Sequence, residues 1–183
     1  MDGCVLHIAE KFLTEEIVKG KAILDVGSYN VNGTLHSVVD KFYPSEYVGV
    51  DIEIGQDVDI VMDGKDVYDK FGEHFDIVLC ASCLEHCQDW KSVWISMIKS
   101  LKIKGYIYIS VPGITFPYHD YRGDYHRWDP KLLAFTAFQS GIKILYCEWD
   151  HDLHHNVHLW GQRCTEEILD LPEAQKVQQP IQS

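Results

Sequence analysis

The sequence predicts a single α/β domain in which a mostly parallel, seven-stranded sheet carries helices on both faces. The chain has 183 residues, the usual size of one domain. Short apolar runs rich in Val and Ile alternate along it with segments of helical periodicity. The runs are continuously apolar, as in strands that are covered on both faces. A strand–helix–strand rhythm of this kind implies parallel pairing.

Periodicity also places the elements along the chain. Six apolar runs are predicted as strands: Ala22–Val26, Tyr47–Ile52, Val58–Met62, Phe75–Ala81, Tyr106–Val111 and Ile142–Cys147. Residues 155–163 would form the seventh strand, and helical patterns cover residues 5–18, 34–42, 88–101 and 130–140. The predicted domain spans residues 1–171, with an N-terminal helix in 1–20 and the α/β core in 21–163. Residues 172–183 are polar with two prolines, which predicts a flexible tail.

Composition limits the classes of partner. Apolar residues make up 46% and charged residues 24% of the chain, a globular balance. Asp and Glu total 28 against 16 Lys and Arg, giving a formal charge of −12. This field repels phosphate backbones and anionic membranes, which disfavours duplex nucleic acid and favours a small-molecule substrate. No apolar run approaches the ~20 residues of a membrane span, and the N-terminus does not resemble a signal peptide, so a cytoplasmic protein is expected.

Two groups of side chains raise the question of a metal site. Cys80, Cys83 and Cys87 surround His86 in CASCLEHC, but no second ligand pair follows at a distance, and Cys80 ends an apolar strand as a small hydrophobe. A histidine run follows later in the chain: His151, His154, His155 and His158. Neighbouring side chains in a strand or turn point in different directions, so an exposed polar edge is expected there. The sequence therefore predicts no metal.

The loop after the first strand has the composition of a ligand site. Asp25 precedes a turn that is bracketed by Gly27 and Gly33, and ligands of open parallel sheets bind at the carboxyl ends of the strands. Tyr29 stands where the second glycine of the dinucleotide fingerprint would be, and it obstructs a pyrophosphate. Asp51 ends the second strand 24 residues after Gly27, where an acid accepts hydrogen bonds from ribose hydroxyls. Loop and acid together favour a nucleoside ligand without a diphosphate.

These motifs resemble a known family. The series ILDVGSYNVNG, YVGVDI, VDIVMD, FDIVLCASCLEH and GYIYISVPG is similar to the class I S-adenosylmethionine-dependent methyltransferases in their small Rossmann-like form. The similarity runs from about residue 21 to residue 140 and is strongest in the order and spacing of the motifs. The first motif departs from the family in carrying less glycine than many members. The resemblance implies S-adenosylmethionine as the cofactor.

The resemblance also implies cofactor-binding residues. The methionine end would contact Asp25, Gly27, Ser28 and Gly33. Asp51 would bind the ribose with Ile52 beside the adenine, and Asp63, followed by Gly64, would face the adenine amino group. Ala81 and Ser82 would lie under the sulfonium. For Asp63 the alternative is a turn or helix cap.

Candidate catalytic residues follow the fourth and fifth strands. Glu85 and His86 would orient or deprotonate an acceptor, since His titrates near the pH of the cell. The alternative is that Glu85 caps or pairs and that His86 packs on the next helix. The long aromatic segment 112–130 would cover the methyl group, with His119, Tyr125 and Arg127 facing the acceptor. The alternative is a self-packed loop in which Arg127 pairs with Asp124.

The function predicted from the sequence is methyl transfer from S-adenosylmethionine to a small or medium polar acceptor by in-line displacement. Two alternatives stay open. One is a nicotinamide-dependent oxidoreductase, against which the Gly-x5-Gly spacing of the first loop argues. The other is a non-catalytic module that binds S-adenosylmethionine without turnover.

Overall fold

A central sheet organises the chain in the computed structural model, which describes residues 3–119, 123–150 and 156–177. The strands are β1 (Ala22–Val26), β2 (Glu46–Asp51), β3 (Ile60–Val61), β4 (Phe75–Ala81), β5 (Leu101–Pro112), β6 (His126–Arg127), β7 (Ile142–Trp149), β8 (Asn156–Arg163) and β9 (Gln175–Lys176). The helices are α1 (Gly3–Phe12), α2 (Glu15–Val18), α3 (His36–Val39), α4 (Val67–Phe71), α5 (Trp90–Ser100) and α6 (Pro130–Gln139). Short 3-10 turns cover Asp40–Phe42, Gly64–Asp66 and Leu84–His86.

Seven strands form one sheet in the order β3-β2-β1-β4-β5-β8-β7. The five strands from β3 to β5 are parallel, and β8 runs antiparallel between β5 and β7. This confirms the predicted mostly parallel α/β fold. Strand order reverses between β1 and β4, so the crevice at their carboxyl ends is the expected ligand position.

Both faces of the sheet are buried, which explains the continuously apolar strands. In β1, Ile23 packs with Val5 and Ile8 of α1 on one face. The next residue, Leu24, belongs to the core on the other face, together with Trp94 of α5. Successive side chains of a strand point to opposite faces, so each residue of such a strand needs to be apolar.

Local sequence signals fix the two long helices that follow the site strands. α5 begins after Asp89, whose side chain accepts a hydrogen bond from the Ser92 N–H, and α6 begins after Asp129, which accepts one from Leu132. Pro130 occupies the first turn of α6, where its missing N–H costs nothing. These caps fix the residues at which the loops that line the site end and the two helices begin.

The structure differs from the predicted elements in several places. The predicted helix over 5–18 is divided into α1 and α2. The strand predicted over Val58–Met62 contains only the two residues of β3. α4 was not predicted, because a helix of five residues is too short to show a period of 3.6. No helix among the described residues has the length and apolar character that crossing a bilayer requires.

The start of the predicted flexible tail is packed and paired. Ala174 is only 6% exposed and belongs to the core. β9 pairs antiparallel with β6, and the Val177 N–H donates to the Tyr125 carbonyl. Residues 172–177 therefore differ from the prediction, because backbone pairing with another part of the chain leaves no trace in local composition. Residues 178–183 lie outside the described part of the chain.

Candidate functional site

A cavity of about 720 Å³ opens at the carboxyl ends of β1, β2 and β4. This volume lies within the range of small-molecule sites. All ten residues that the resemblance assigns to the cofactor line it: Asp25, Gly27, Ser28, Gly33, Asp51, Ile52, Asp63, Gly64, Ala81 and Ser82. The strand ends bring them together from positions that lie far apart in sequence, at the switch point of the sheet.

The loop after β1 uses its own N–H groups inside the protein. Five of them donate internally: Gly27 and Ser28 to the Val50 carbonyl, Tyr29 to the Asp51 carboxylate, Asn30 to the Gln56 carbonyl, and Gly33 to the Asn30 side-chain oxygen. A phosphate-binding loop instead directs such groups at the anion. The loop is therefore built to shape a cavity and not to bind a pyrophosphate.

Two glycines of this region are required by close packing. Gly27 has φ +81°, and a Cβ added there would lie 2.5 Å from the Cβ of Cys83. At Gly55 an added Cβ would lie 2.2 Å from the Tyr29 ring. Tyr29 thus fills the space against Gly55, consistent with the steric argument against a diphosphate at this position.

Asp25 is the buried acid of the cavity. It is 2% exposed, and its Oδ2 accepts a 2.7 Å hydrogen bond from the Tyr47 hydroxyl. Burial raises the pKa of this carboxyl to about 7, although the Tyr47 hydrogen bond opposes the shift. The Tyr47 ring stacks on His36 with ring centroids 4.1 Å apart, which fixes the hydroxyl in place.

Asp51 and Asp63 line the cavity at its second and third strand ends. Asp51 accepts the Glu53 N–H through Oδ1 at 3.0 Å and the Tyr29 N–H through Oδ2 at 3.4 Å, which orients the carboxylate. A carboxylate oxygen can accept more than one hydrogen bond. Asp63 accepts the Lys65 N–H and pairs with its ammonium at 3.0 Å. It therefore caps the Gly64–Asp66 turn, as the alternative interpretation expected, while also lining the cavity.

The carboxyl groups of the cavity lining are not balanced by Lys or Arg side chains within the described lining. Four acidic side chains line the cavity: Asp25, Asp51, Asp63 and Glu85. Within the described residues, the lining contains no Lys or Arg. Such a cavity favours a cation and disfavours a phosphorylated ligand.

Glu85, His86 and His119 lie together at the end of the cavity next to segment 112–130. Glu85 is 1% exposed, and burial raises its pKa to about 7. His86 Nε2 lies 3.7 Å from Glu85 Oε1, while its Nδ1 faces the Gly123 carbonyl. Burial lowers the pKa of His119, which favours its neutral form. Three of the five candidate catalytic residues therefore lie at the cavity.

The other two, Arg127 and Tyr125, do not line the cavity. Arg127 is 4% exposed and pairs with Asp124, with Nη2 2.6 Å from Oδ2. It also donates to the Phe116 and Pro117 carbonyls. The expectation that Arg127 faces the acceptor is wrong, because the guanidinium donates its hydrogen bonds to groups inside the loop.

Tyr125 packs its ring over Gly123, and its N–H donates to the Glu85 carbonyl. It fixes the backbone beside Glu85 and contributes no atom to the cavity wall. Asp120 and Tyr121 of the same segment lie outside the described residues.

The cysteines and the late histidines differ in their surroundings. None of the six cysteines forms a disulfide with another described residue. Cys80 is buried in the core as predicted, whereas Cys83 and Cys87 line the cavity. His158 is fully buried and its Nδ1 lies 2.9 Å from the Tyr108 hydroxyl, so it does not belong to the expected exposed polar edge. His151, His154 and His155 lie outside the described residues.

Sequence reasoning missed several cavity-lining residues. Most are apolar or bulky: Val31, Val50, Met62, Val93, Pro112 and Phe116. Met62 and Phe116 had a signal, since each stands within a few residues of a predicted site residue. Asn156 had none, because β8 reaches the cavity only through antiparallel pairing with the end of β5.

A family model described as a methyltransferase domain matches residues 5–167. The chain belongs to this methyltransferase family. Its fold is that of the class I S-adenosylmethionine-dependent methyltransferases, as the resemblance predicted, and the chain is such an enzyme. No curated protein sequence matches the chain significantly.

Solved methyltransferase structures share the fold. The 1,6-didemethyltoxoflavin-N1-methyltransferase of Burkholderia thailandensis, solved with S-adenosylhomocysteine, superposes with a TM-score of 0.72 at 14% identity, covering 90% of this chain and 80% of that one. An S-adenosylmethionine-dependent methyltransferase from Mesorhizobium loti gives 0.64 at 15% identity, covering 88% and 98%. The magnesium protoporphyrin IX methyltransferase of Synechocystis gives 0.61 at 14%, covering 87% and 77%. At identities this low, the likeness shows that the fold is shared and nothing more.

Proposed function

We propose that this methyltransferase transfers the methyl group of S-adenosylmethionine, by in-line displacement, to a small or medium polar acceptor. The observation that carries the proposal is the sign of charge in the cavity: four carboxyl groups and, within the described lining, no cationic side chain. S-Adenosylmethionine supplies a methyl group on a cationic sulfur, and it has no phosphate. Carboxylates stabilise such a ligand, whereas a diphosphate would be repelled.

The cofactor end of the cavity fits this donor in its chemistry. Asp51 lines the cavity and is oriented by two backbone N–H groups, and a carboxylate is the acceptor that ribose hydroxyls need. Asp25 is a buried acid that an ammonium or sulfonium charge would ionise, since an opposite charge lowers a carboxyl pKa. The Ser28 hydroxyl, also in the lining, is buried and has no hydrogen-bond partner among the described residues. A ligand group would satisfy it.

The acceptor end is assigned to Glu85, His86 and His119. Because His86 Nδ1 faces a backbone carbonyl, that nitrogen carries the proton, and Nε2 keeps the lone pair that an acceptor hydroxyl or amine would use. His119 contacts Phe116 edge to face, with ring centroids 5.3 Å apart, and the two rings make one wall. This wall excludes water and aligns the acceptor, and alignment is worth roughly 7–11 kcal/mol in such reactions.

The oxidoreductase alternative is disfavoured by the loop after β1. Its N–H groups donate internally, and Tyr29 packs on Gly55 where a pyrophosphate would pass. Calorimetry that compares S-adenosylhomocysteine with NADH separates the two functions. We expect micromolar-range binding of S-adenosylhomocysteine and none of NADH; the reverse order would overturn the proposal.

Turnover is tested with a labelled methyl donor and a fractionated metabolite extract. We expect label to enter a low-molecular-weight product with the wild-type chain and not with Asp51→Ala. Binding of S-adenosylhomocysteine without any labelled product across the extract would favour the non-catalytic binding module instead.

A further inference from the structure

Three side chains with metal-binding atoms meet at the acceptor end of the cavity. Glu85 and His86 come from the 3-10 turn after β4, and His119 comes from the segment after β5. One donor atom from each lies within 4.8 Å of the other two. The sequence separates His119 from the other two by more than thirty positions, so no motif search joins them.

Glu85 brings a buried carboxyl to this cluster. Its Oε2 accepts no hydrogen bond from the described residues, and its Oε1 lies 3.7 Å from His86 Nε2. Burying a carboxyl in this way is costly unless a proton or a cation neutralises it.

The two imidazoles are oriented by groups behind them. His86 directs Nδ1 at the Gly123 carbonyl, and its Nε2 lies on the side of Glu85, 3.7 Å from Oε1. Asp124 Oδ2 lies 3.1 Å from His119 Nδ1, and Asp124 is itself fixed by Arg127. Carbonyls and carboxylates in this second position are what metal-bound histidines use to fix their rings.

We propose that Glu85, His86 and His119 bind one divalent transition-metal ion, of the kind that Zn²⁺ represents, with an open position toward the methyl-donor cavity. Two imidazoles and one carboxylate are a known zinc donor set in which a fourth position binds water or substrate. Zinc bonds of 2.0–2.2 Å would bring donor atoms to about 3.3 Å from each other. The Glu85–His86 pair is close to that distance, and His119, with a third of its side chain exposed, has room to approach.

The ion would act on the acceptor, so this inference rests on the proposed methyl transfer. A hydroxyl or amine bound at the open position would lose its proton to solvent more readily, as metal-bound water does. The new bond then forms between the acceptor atom and the methyl carbon. The carbon–sulfur bond breaks, and its electron pair stays on sulfur. The acceptor class is therefore one with an oxygen or nitrogen that becomes a good nucleophile only when deprotonated.

Binding is tested with Co²⁺ on the full chain, without methyl donor or acceptor, by titrating its ligand-field absorption. The background variant replaces His151, His154 and His155 with Gln, which removes the sequence run most prone to bind metal at random. We expect one Co²⁺ per chain, bound through nitrogen and oxygen. His86→Ala and His119→Ala should each weaken binding at least tenfold. His74→Ala is the matched control, because it removes a histidine that also faces a glutamate, 2.6 Å away, outside the cavity.

Three outcomes would overturn the metal site. One is that the background variant binds no Co²⁺; another is that His86→Ala and His119→Ala both bind it as the background does. A third is a sulfur-to-metal charge-transfer band that Cys83→Ser abolishes. S-Adenosylhomocysteine affinity is measured on every variant as the test of an intact cavity. Methyl transfer that proceeds at full rate after metal removal would overturn the metal site alone, whereas failure of the wild-type chain to bind S-adenosylhomocysteine would overturn the proposed function alone.

Discussion

The Tyr47 hydroxyl donates a 2.7 Å hydrogen bond to Asp25 Oδ2, across the parallel pair of β2 and β1. This bond ties the buried acid at the floor of the cavity to the ring that stacks on His36. It opposes the desolvation that raises the pKa of Asp25 to about 7. The acid therefore titrates in the pH range in which the enzyme would be assayed.

Replacing Asp25 with Asn is expected to change how stability depends on pH. The native carboxyl binds its proton more tightly than the unfolded one, so this group stabilises the fold at low pH and loses that contribution as pH rises toward about 7. Asp25→Asn keeps an acceptor for Tyr47 and removes the titration. From pH 5 to pH 8 the free energy of unfolding of the variant should therefore rise by about 2–3 kcal/mol relative to that of the wild type. Urea unfolding of both proteins at pH 5 and at pH 8 measures this difference. The prediction would be contradicted if the free energy of unfolding changed by the same amount with pH in both.

Asp51 is expected to carry much of the cofactor affinity. Asp51→Ala removes the acceptor for two hydroxyls, and each hydrogen bond to a charged group is worth about 1.5–3 kcal/mol. Calorimetry should show at least a tenfold loss of S-adenosylhomocysteine affinity. Glu53→Ala is the control, because it removes the same charge from an exposed position two residues away that does not line the cavity. Equal affinities in the two variants would remove Asp51 from the site.

Gly27→Ala is expected to be strongly destabilising, by about 2–5 kcal/mol. A positive φ strains any other residue, and the new Cβ would lie 2.5 Å from the Cys83 Cβ and 2.6 Å from its Sγ. Cys83→Gly removes both contacts but not the strain. The double variant should therefore lose less stability than the sum of the single ones, by at least 1 kcal/mol. Additive losses in denaturant titrations would mean that the contact with Cys83 is not the cause.

His119 and Arg127 are expected to fail in different ways. His119→Ala should depress methyl transfer at least tenfold with cofactor affinity unchanged, since the proposed function gives this side chain to the acceptor and not to the cofactor. Arg127→Ala leaves Asp124 buried without its partner and should cost about 3–5 kcal/mol of stability. Melting curves and single-turnover rates distinguish the two. A normal melting temperature for Arg127→Ala, with lost turnover, would restore it as an acceptor residue.

Residue spacing was sufficient to predict which residues come together around the cavity. β1 and β4 have the predicted bounds, and their ends put Asp25 and Ala81 at the same crevice. A continuous apolar run marks a doubly covered strand, and the carboxyl ends of parallel strands lie on one edge. Neither rule requires knowledge of which side chains contact each other, so both can be applied to the sequence alone.

Side-chain pairing was out of reach of the sequence. The sequence of the aromatic segment after β5 fits a cover over an acceptor and a self-packed loop equally well. The two differ in where the Arg127 guanidinium points, and in the structure it pairs with Asp124 inside the loop. Tyr47 as the partner of Asp25 was missed for the same reason. The two residues lie 22 positions apart and meet only because β1 and β2 pair in one register.

The short ladder between β6 and β9 makes residues 175–176 a brace behind the backbone of Glu85. β6 begins one residue after Tyr125, whose N–H fixes the Glu85 backbone and whose carbonyl accepts from Val177. A purification tag or trimming that reaches residues 174–177 would thus act on the acceptor end from behind, without touching the cavity. Rates measured on chains with different C-terminal extensions are comparable only after this brace has been shown to be intact in each.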